Sequence, residues 1–123
     1  MIRVIRGRDY SKHFKVRKDE NGKPYLVNSH KHISISHTEK YTFIIISSKN
    51  VGIDVEKIRN VPDDLKRYLK INTNSKYKFF KEWTRREAMI KRDNLKLGNI
   101  TELTKKGKFK TYLVYPYVIT ICR

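Results

Sequence analysis

Asp54 and Glu56 stand two apart in the segment VGIDVE at 51–56. Side chains alternate along an extended strand, so both carboxylates share a face with Gly52, while Val51, Ile53 and Val55 take the other. Taken alone, this pattern describes a half-buried strand with a solvated acidic edge. Gly52 on the acidic face leaves room for something to come close to the backbone. A third carboxylate is more pointed. Phe80, Trp83, Glu87 and Ile90 are spaced by three and four, so on a helix Glu87 interrupts an aromatic and apolar stripe. A carboxylate there is costly unless it is paired, hydrogen-bonded or bound to a metal. Lys91, one turn on, offers an ordinary Glu–Lys pair. The alternative brings Glu87 to Asp54 and Glu56 across a cleft. Three converging carboxylates there suit Mg2+, which takes hard oxygen ligands and shares its shell with water and phosphates. Surrounding Lys and Arg residues would hold those phosphates.

His37 ends an ISIS segment at 33–36 and precedes a turn, where its imidazole could donate to a phosphate oxygen. Lys23 lies in a Gly-Lys-Pro turn whose backbone Pro24 stiffens. His30, His32 and His37 are close together, but no Cys or acid stands at a spacing that suits zinc.

The elements that would position these groups follow from local pattern. Strands are expected at 2–6, 33–36, 41–48 and 51–56, with Lys49-Asn50 turning the last two into a hairpin. Asn21-Gly22 is a strong turn signal. Asp63 and Asp64 after Pro62 suit the start of a helix over 63–70. Thr73, Asn74 and Ser75 offer an N-cap for a longer helix near 75–93. Pro116 splits two closing strands, 108–115 and 117–122. Strands and helices mix without a regular alternation, which predicts an α+β chain with an antiparallel sheet packed against a long helix, in one domain over 1–123. Tyr41, Phe43 and Ile45 alternate with Ile44 and Ile46, so this strand should be covered on both faces.

The chain has 123 residues, 29 Lys and Arg against 12 Asp and Glu, and a net charge of +17. Such a surplus asks for an anionic partner: nucleic acid, lipid surface, polyphosphate ligand or acidic protein. No apolar run approaches the roughly 18 residues of a membrane span, and the first ten residues lack the apolar stretch of a signal peptide. Cys122 is the only cysteine, which excludes an internal disulfide and fits a reducing cytoplasm.

GKPY at 22–25, ISISHT at 33–38, VGIDVE at 51–56 and WTRREAMIK at 83–91 occur in one order. This series resembles the 4′-phosphopantetheinyl transferase superfamily, in particular its longer, two-lobed, surfactin-synthetase-activating branch. The resemblance implies transfer of the 4′-phosphopantetheine arm of coenzyme A to a serine of an acidic acyl or peptidyl carrier protein, of the kind used in fatty acid biosynthesis. Adenosine 3′,5′-bisphosphate is the other product. It implies Mg2+ on Asp54, Glu56 and Glu87, and Lys91 beside the pyrophosphate. It places Lys23, Pro24, Ser36 and His37 at the nucleotide end of coenzyme A, and Trp83 and Thr84 as an aromatic-hydroxyl pair before the last metal acid. Glu87 would take the serine proton, with Lys91 and Arg86 stabilising developing charge. The chain departs from the family pattern in several places. Arg86 replaces the usual lysine, the stretch between Asp54 and Glu87 is shorter, and RDNLKLG at 92–98 replaces a Gly-rich segment. Little chain precedes Gly22, so the missing half of a two-lobed cleft predicts a homodimer or homotrimer. An inactive, binding-only relative and a small basic nucleic-acid-binding protein are the alternative readings.

Overall fold

The computed structural model describes residues 1–95 and 107–123. Its elements run β1 (Ile2–Arg6), β2 (Val16–Lys18), β3 (Pro24–Leu26), β4 (His32–His37), β5 (Tyr41–Ser47), β6 (Gly52–Lys57), α1 (Asp63–Leu69), α2 (Lys76–Asp93), β7 (Phe109–Val114) and β8 (Tyr117–Cys122). The chain is α+β, with antiparallel sheets and one long helix. Three sheets form, in the orders β1-β5-β4, β2-β3 and β6-β8-β7.

Local signals explain where the elements begin and stop. The Ser75 hydroxyl accepts the Lys78 N–H at 3.2 Å and caps α2, and Asn94 ends that helix in the left-handed region. Asp63 and Asp64 open α1, whose C-cap Lys70 is also left-handed. Gly22 takes φ +84 in the β2–β3 turn, where the Asp19 carboxylate accepts the Asn21 and Lys23 N–H groups at 2.9 Å each. β7 and β8, the two closing strands expected on either side of Pro116, pair as a hairpin through Tyr115-Pro116.

The hairpin expected between 41–48 and 51–56 does not form. β5 pairs with β1 and β4, whereas β6 turns away to pair with β8. Two serines make this possible. Ser34 Oγ accepts the Ile53 N–H and Ser36 Oγ accepts the Val55 N–H, both at 3.0 Å. The outer edge of β6 is thus satisfied by side chains of β4 instead of a neighbouring strand. The alternating serines of ISIS therefore join one sheet to the other.

Both faces of β5 are covered, as its pattern requires: Thr42, Phe43, Ile44 and Ile45 are buried. Phe43 and Ile45 pack with Val51, Ile53, Val55 and Ile121. On the other side of the β6-β8-β7 sheet, α2 lies across β6 and β8. Phe79, Phe80 and Ile90 join Leu69, Ile71 and Val118 in a second apolar cluster. Gly52 sets how close the helix comes. A Cβ there would overlap the Ala88 carbonyl and lie 2.8 Å from the Arg92 nitrogen. The approach read from Gly52 is that of the α2 backbone itself.

Candidate functional site

The close Gly52–Ala88 contact turns the acidic face of β6 toward α2. Asp54 is 5% exposed, so the solvated acidic edge does not apply to it. Its Oδ1 accepts a hydrogen bond from the Lys91 ammonium at 3.3 Å and lies 3.4 Å from the Ser36 hydroxyl, while Oδ2 is buried with no hydrogen-bond partner among the described residues. Burial pushes the Asp54 carboxyl up to about 7; Lys91 opposes this, and the charges of Glu56 and Glu87 add to it. Glu87 is half-buried and also held above the usual carboxylate range, first by burial and then by Glu56, again with Lys91 opposing. Asp54, Glu56, Glu87 and Lys91 thus share one electrostatic environment.

The three carboxylates do not surround one small volume. Among the described residues no group of three or more His, Cys, Asp or Glu is arranged to hold a metal. Three carboxylates repel one another, and the cation that meets Asp54 here is the Lys91 ammonium, which also donates to the Ile35 carbonyl at 3.1 Å. Glu56 turns partly aside to Arg59, at 3.0 Å. The donor set nevertheless fits Mg2+ chemically: it is oxygen-only, and the buried, unpartnered Asp54 Oδ2 is an acceptor in want of a positive partner.

Lys91 reaches a second feature. A cleft of about 360 Å3 is lined by Lys91, Lys23, Pro24 and His37, together with Lys18 and Tyr10. Lys23 and His37 therefore lie on the same cleft. The Lys23 ammonium donates to the Arg92 carbonyl at 2.7 Å and to Asn50 Oδ1 at 3.0 Å, tying the β2–β3 turn to the C-terminus of α2. Burial holds its pKa below the ordinary lysine value. His37 Nδ1 lies 2.8 Å from the Thr42 hydroxyl, and its ring stacks with Tyr10 at 6.3 Å. Partial burial, then Arg8, Lys91 and Lys18, hold its pKa below the usual histidine value. The proximity of four cations to this cleft favours a polyanionic ligand.

Two residues read as site groups lie elsewhere. Arg86 is buried, and its guanidinium donates to Glu82 Oε1 at 3.1 Å and to the Leu69 carbonyl, closing the end of α1. Ser36 does not line the cleft; its hydroxyl is buried between Val55 and Asp54. Thr84 likewise bonds Thr120 at 2.6 Å inside the α2–β8 packing. Trp83 meets Phe79 in a tilted contact, with ring centres 5.9 Å apart. Lys96, Leu97 and Gly98 of the RDNLKLG stretch lie outside the described residues. Sequence reasoning missed Tyr10, Lys18 and Arg59. None stands in a motif, and only the folding of distant strands brings Tyr10 and Lys18 beside His37.

No helix among the described residues is long and apolar enough to cross a membrane. No family model matches the chain. The chain is similar to the 4′-phosphopantetheinyl transferase gsp of Aneurinibacillus migulanus, at 34% identity over 88 residues. The match covers 61% of this chain and 36% of that protein, so the chain spans about a third of the relative's length.

Proposed function

We propose that this chain transfers the 4′-phosphopantetheine arm of coenzyme A to a serine of an acidic acyl or peptidyl carrier protein, releasing adenosine 3′,5′-bisphosphate. The observation that carries the reading is the double placement of Lys91: its ammonium bonds Asp54 within the acidic group, and its side chain lines the cleft shared with Lys23 and His37. The similarity to a 4′-phosphopantetheinyl transferase supports the same reaction class.

In this reading the cleft takes the nucleotide end of coenzyme A. Lys23 and His37 face its 3′-phosphate, and Pro24 stiffens the turn that presents Lys23. Asp54 and Glu56, with Glu87, would hold Mg2+, which when bound neutralises charge on the pyrophosphate. The carrier serine oxygen forms a bond to the β-phosphorus. The bond from that phosphorus to the bridging oxygen breaks, and its electron pair leaves with the nucleotide. Glu87 takes the serine proton, directly or through water; burial raises its proton affinity above that of an ordinary glutamate. Lys91 donates to the oxygen that gains charge. Ser36 and Ser34 hold β6 in place, and Arg86 takes no part in the chemistry. The surplus of +17 fits an acidic carrier protein and speeds its encounter.

Incubation with coenzyme A, Mg2+ and a panel of apo-carrier proteins tests this. The expected result is a carrier heavier by one phosphopantetheine, with an equal amount of adenosine 3′,5′-bisphosphate. Coenzyme A that binds without any carrier gaining mass would contradict it.

A further inference from the structure

The β6-β8-β7 sheet is covered by α2 on one face, but its other face is only partly covered. Toward β7 the two larger sheets part, leaving a wholly apolar groove of about 500 Å3. Tyr41, Phe43, Tyr117 and Ile119 floor it, Ile2 and Val4 of β1 form one wall, and Tyr112 and Val114 of β7 the other. Both walls are edge strands, each paired on one side only among the described residues.

The two edges differ in a way that identifies what one of them meets. β1 carries Arg3 and Arg6, both exposed, and charges on an edge discourage strand addition. β7 has its only charge, Lys110, near its start. Beyond it Tyr112, Leu113, Val114 and Tyr115 follow one another at 46%, 50%, 59% and 79% exposed. Four large apolar residues in a row on a free edge make a template for pairing. Lys110 points to the partner as well. In an antiparallel pair about a two-fold axis within 111–114, the two Lys110 side chains sit at opposite ends, so no like charges face each other.

We propose that β7 is the self-association edge of this protein: two copies join antiparallel along β7 about a two-fold axis, extending the β6-β8-β7 sheet of each into one six-stranded sheet and covering residues 112–115. The edge concerned is separated from β6, which carries Asp54 and Glu56, by β8, so the proposal stands apart from the proposed reaction. The interface is apolar while each chain carries +17, so association strengthens as salt screens the repulsion between copies.

Sedimentation equilibrium of the chain over a range of concentrations, at low and moderate salt, tests it. Backbone amide hydrogen exchange on the same samples provides a second readout. The expected result is a monomer–dimer equilibrium built on the 14.8 kDa chain, more dimeric at moderate salt, with concentration-dependent protection confined to amides of β7. Leu113→Lys, at a half-exposed position, weakens dimerisation by at least about tenfold. A monomer at every concentration and salt would overturn the proposal. So would a dimer whose β7 amides exchange as freely as in the monomer, a dimer that a folded Leu113→Lys variant leaves unchanged, or an assembly that grows beyond two copies.

Discussion

β6 has two faces that do different work. On one, Gly52, Asp54 and Glu56 look toward α2, and a buried carboxylate meets a lysine at 3.3 Å beside a cleft rich in cations. On the other, Val51, Ile53 and Val55 pack with Phe43, Ile45 and Ile121 into an apolar layer that opens into an uncharged groove. The alternation of one short strand therefore separates reactive polarity from packing. The difference also sets a cost. The polar face buries charge that weakens the fold, and the apolar face supplies the contacts that offset it.

The sharpest way to break this comparison is to remove the buried charge. The Asp54 carboxyl is raised to about 7 in the folded chain against 3.8 for an unperturbed group. The folded state then holds a proton that the unfolded state has lost, so stability falls as pH rises from about 4 through 7. A shift of this size corresponds to up to about 4 kcal/mol. In chemical denaturation of the metal-free protein, wild type should lose stability across that window, and Asp54→Asn should lose much less. Parallel curves for the two would show that Asp54 is not charged at a cost.

Gly52→Ala attacks the polar face by geometry alone. The new methyl overlaps the Ala88 carbonyl, which is backbone and cannot swing away, so α2 must shift or the fold must loosen. A loss of about 3 kcal/mol is expected in urea unfolding. The chain would be looser at this seam than described if Gly52→Ala were neutral.

Ser34→Ala and Ser36→Ala each strand a buried N–H of β6, at Ile53 or Val55. Each should cost about 1–3 kcal/mol. The amides of Ile53 and Val55 should also lose hydrogen-exchange protection in the matching variant. Leu113→Lys, half-exposed on the β7 edge, should change the stability of the monomer by no more than about 0.5 kcal/mol.

These same residues show what a linear reading can reach. The capping segment before α2, both helices, the two closing strands around Pro116 and the shared face of Asp54 and Glu56 follow from neighbours within a few positions, so they were legible. The pairing of β6 was not. Lys49-Asn50 reads as a hairpin turn, yet β6 joins β8 near the chain's end because Ser34 and Ser36 serve its other edge. Lys23, His37 and Lys91 line one cleft, and each stands in a segment that could be singled out from the sequence. Arg86 and Ser36 sit in motifs too, but a distant carbonyl and a distant amide decide where they point. Lys91 standing among the carboxylates depends on the depth of α2, which Gly52 sets only once the fold has formed.

The central claim is that the α2-facing side of β6 carries the reaction and the opposite side does not. Intact-mass analysis of one carrier protein, incubated with coenzyme A, Mg2+ and each variant in turn, tests it directly. Wild type and Val114→Lys, on the groove side of β7, should load the carrier at similar rates, whereas Asp54→Asn and Glu87→Gln should slow loading by about 1000-fold or more. A folded Asp54→Asn or Glu87→Gln variant that loads the carrier as fast as wild type would contradict the account.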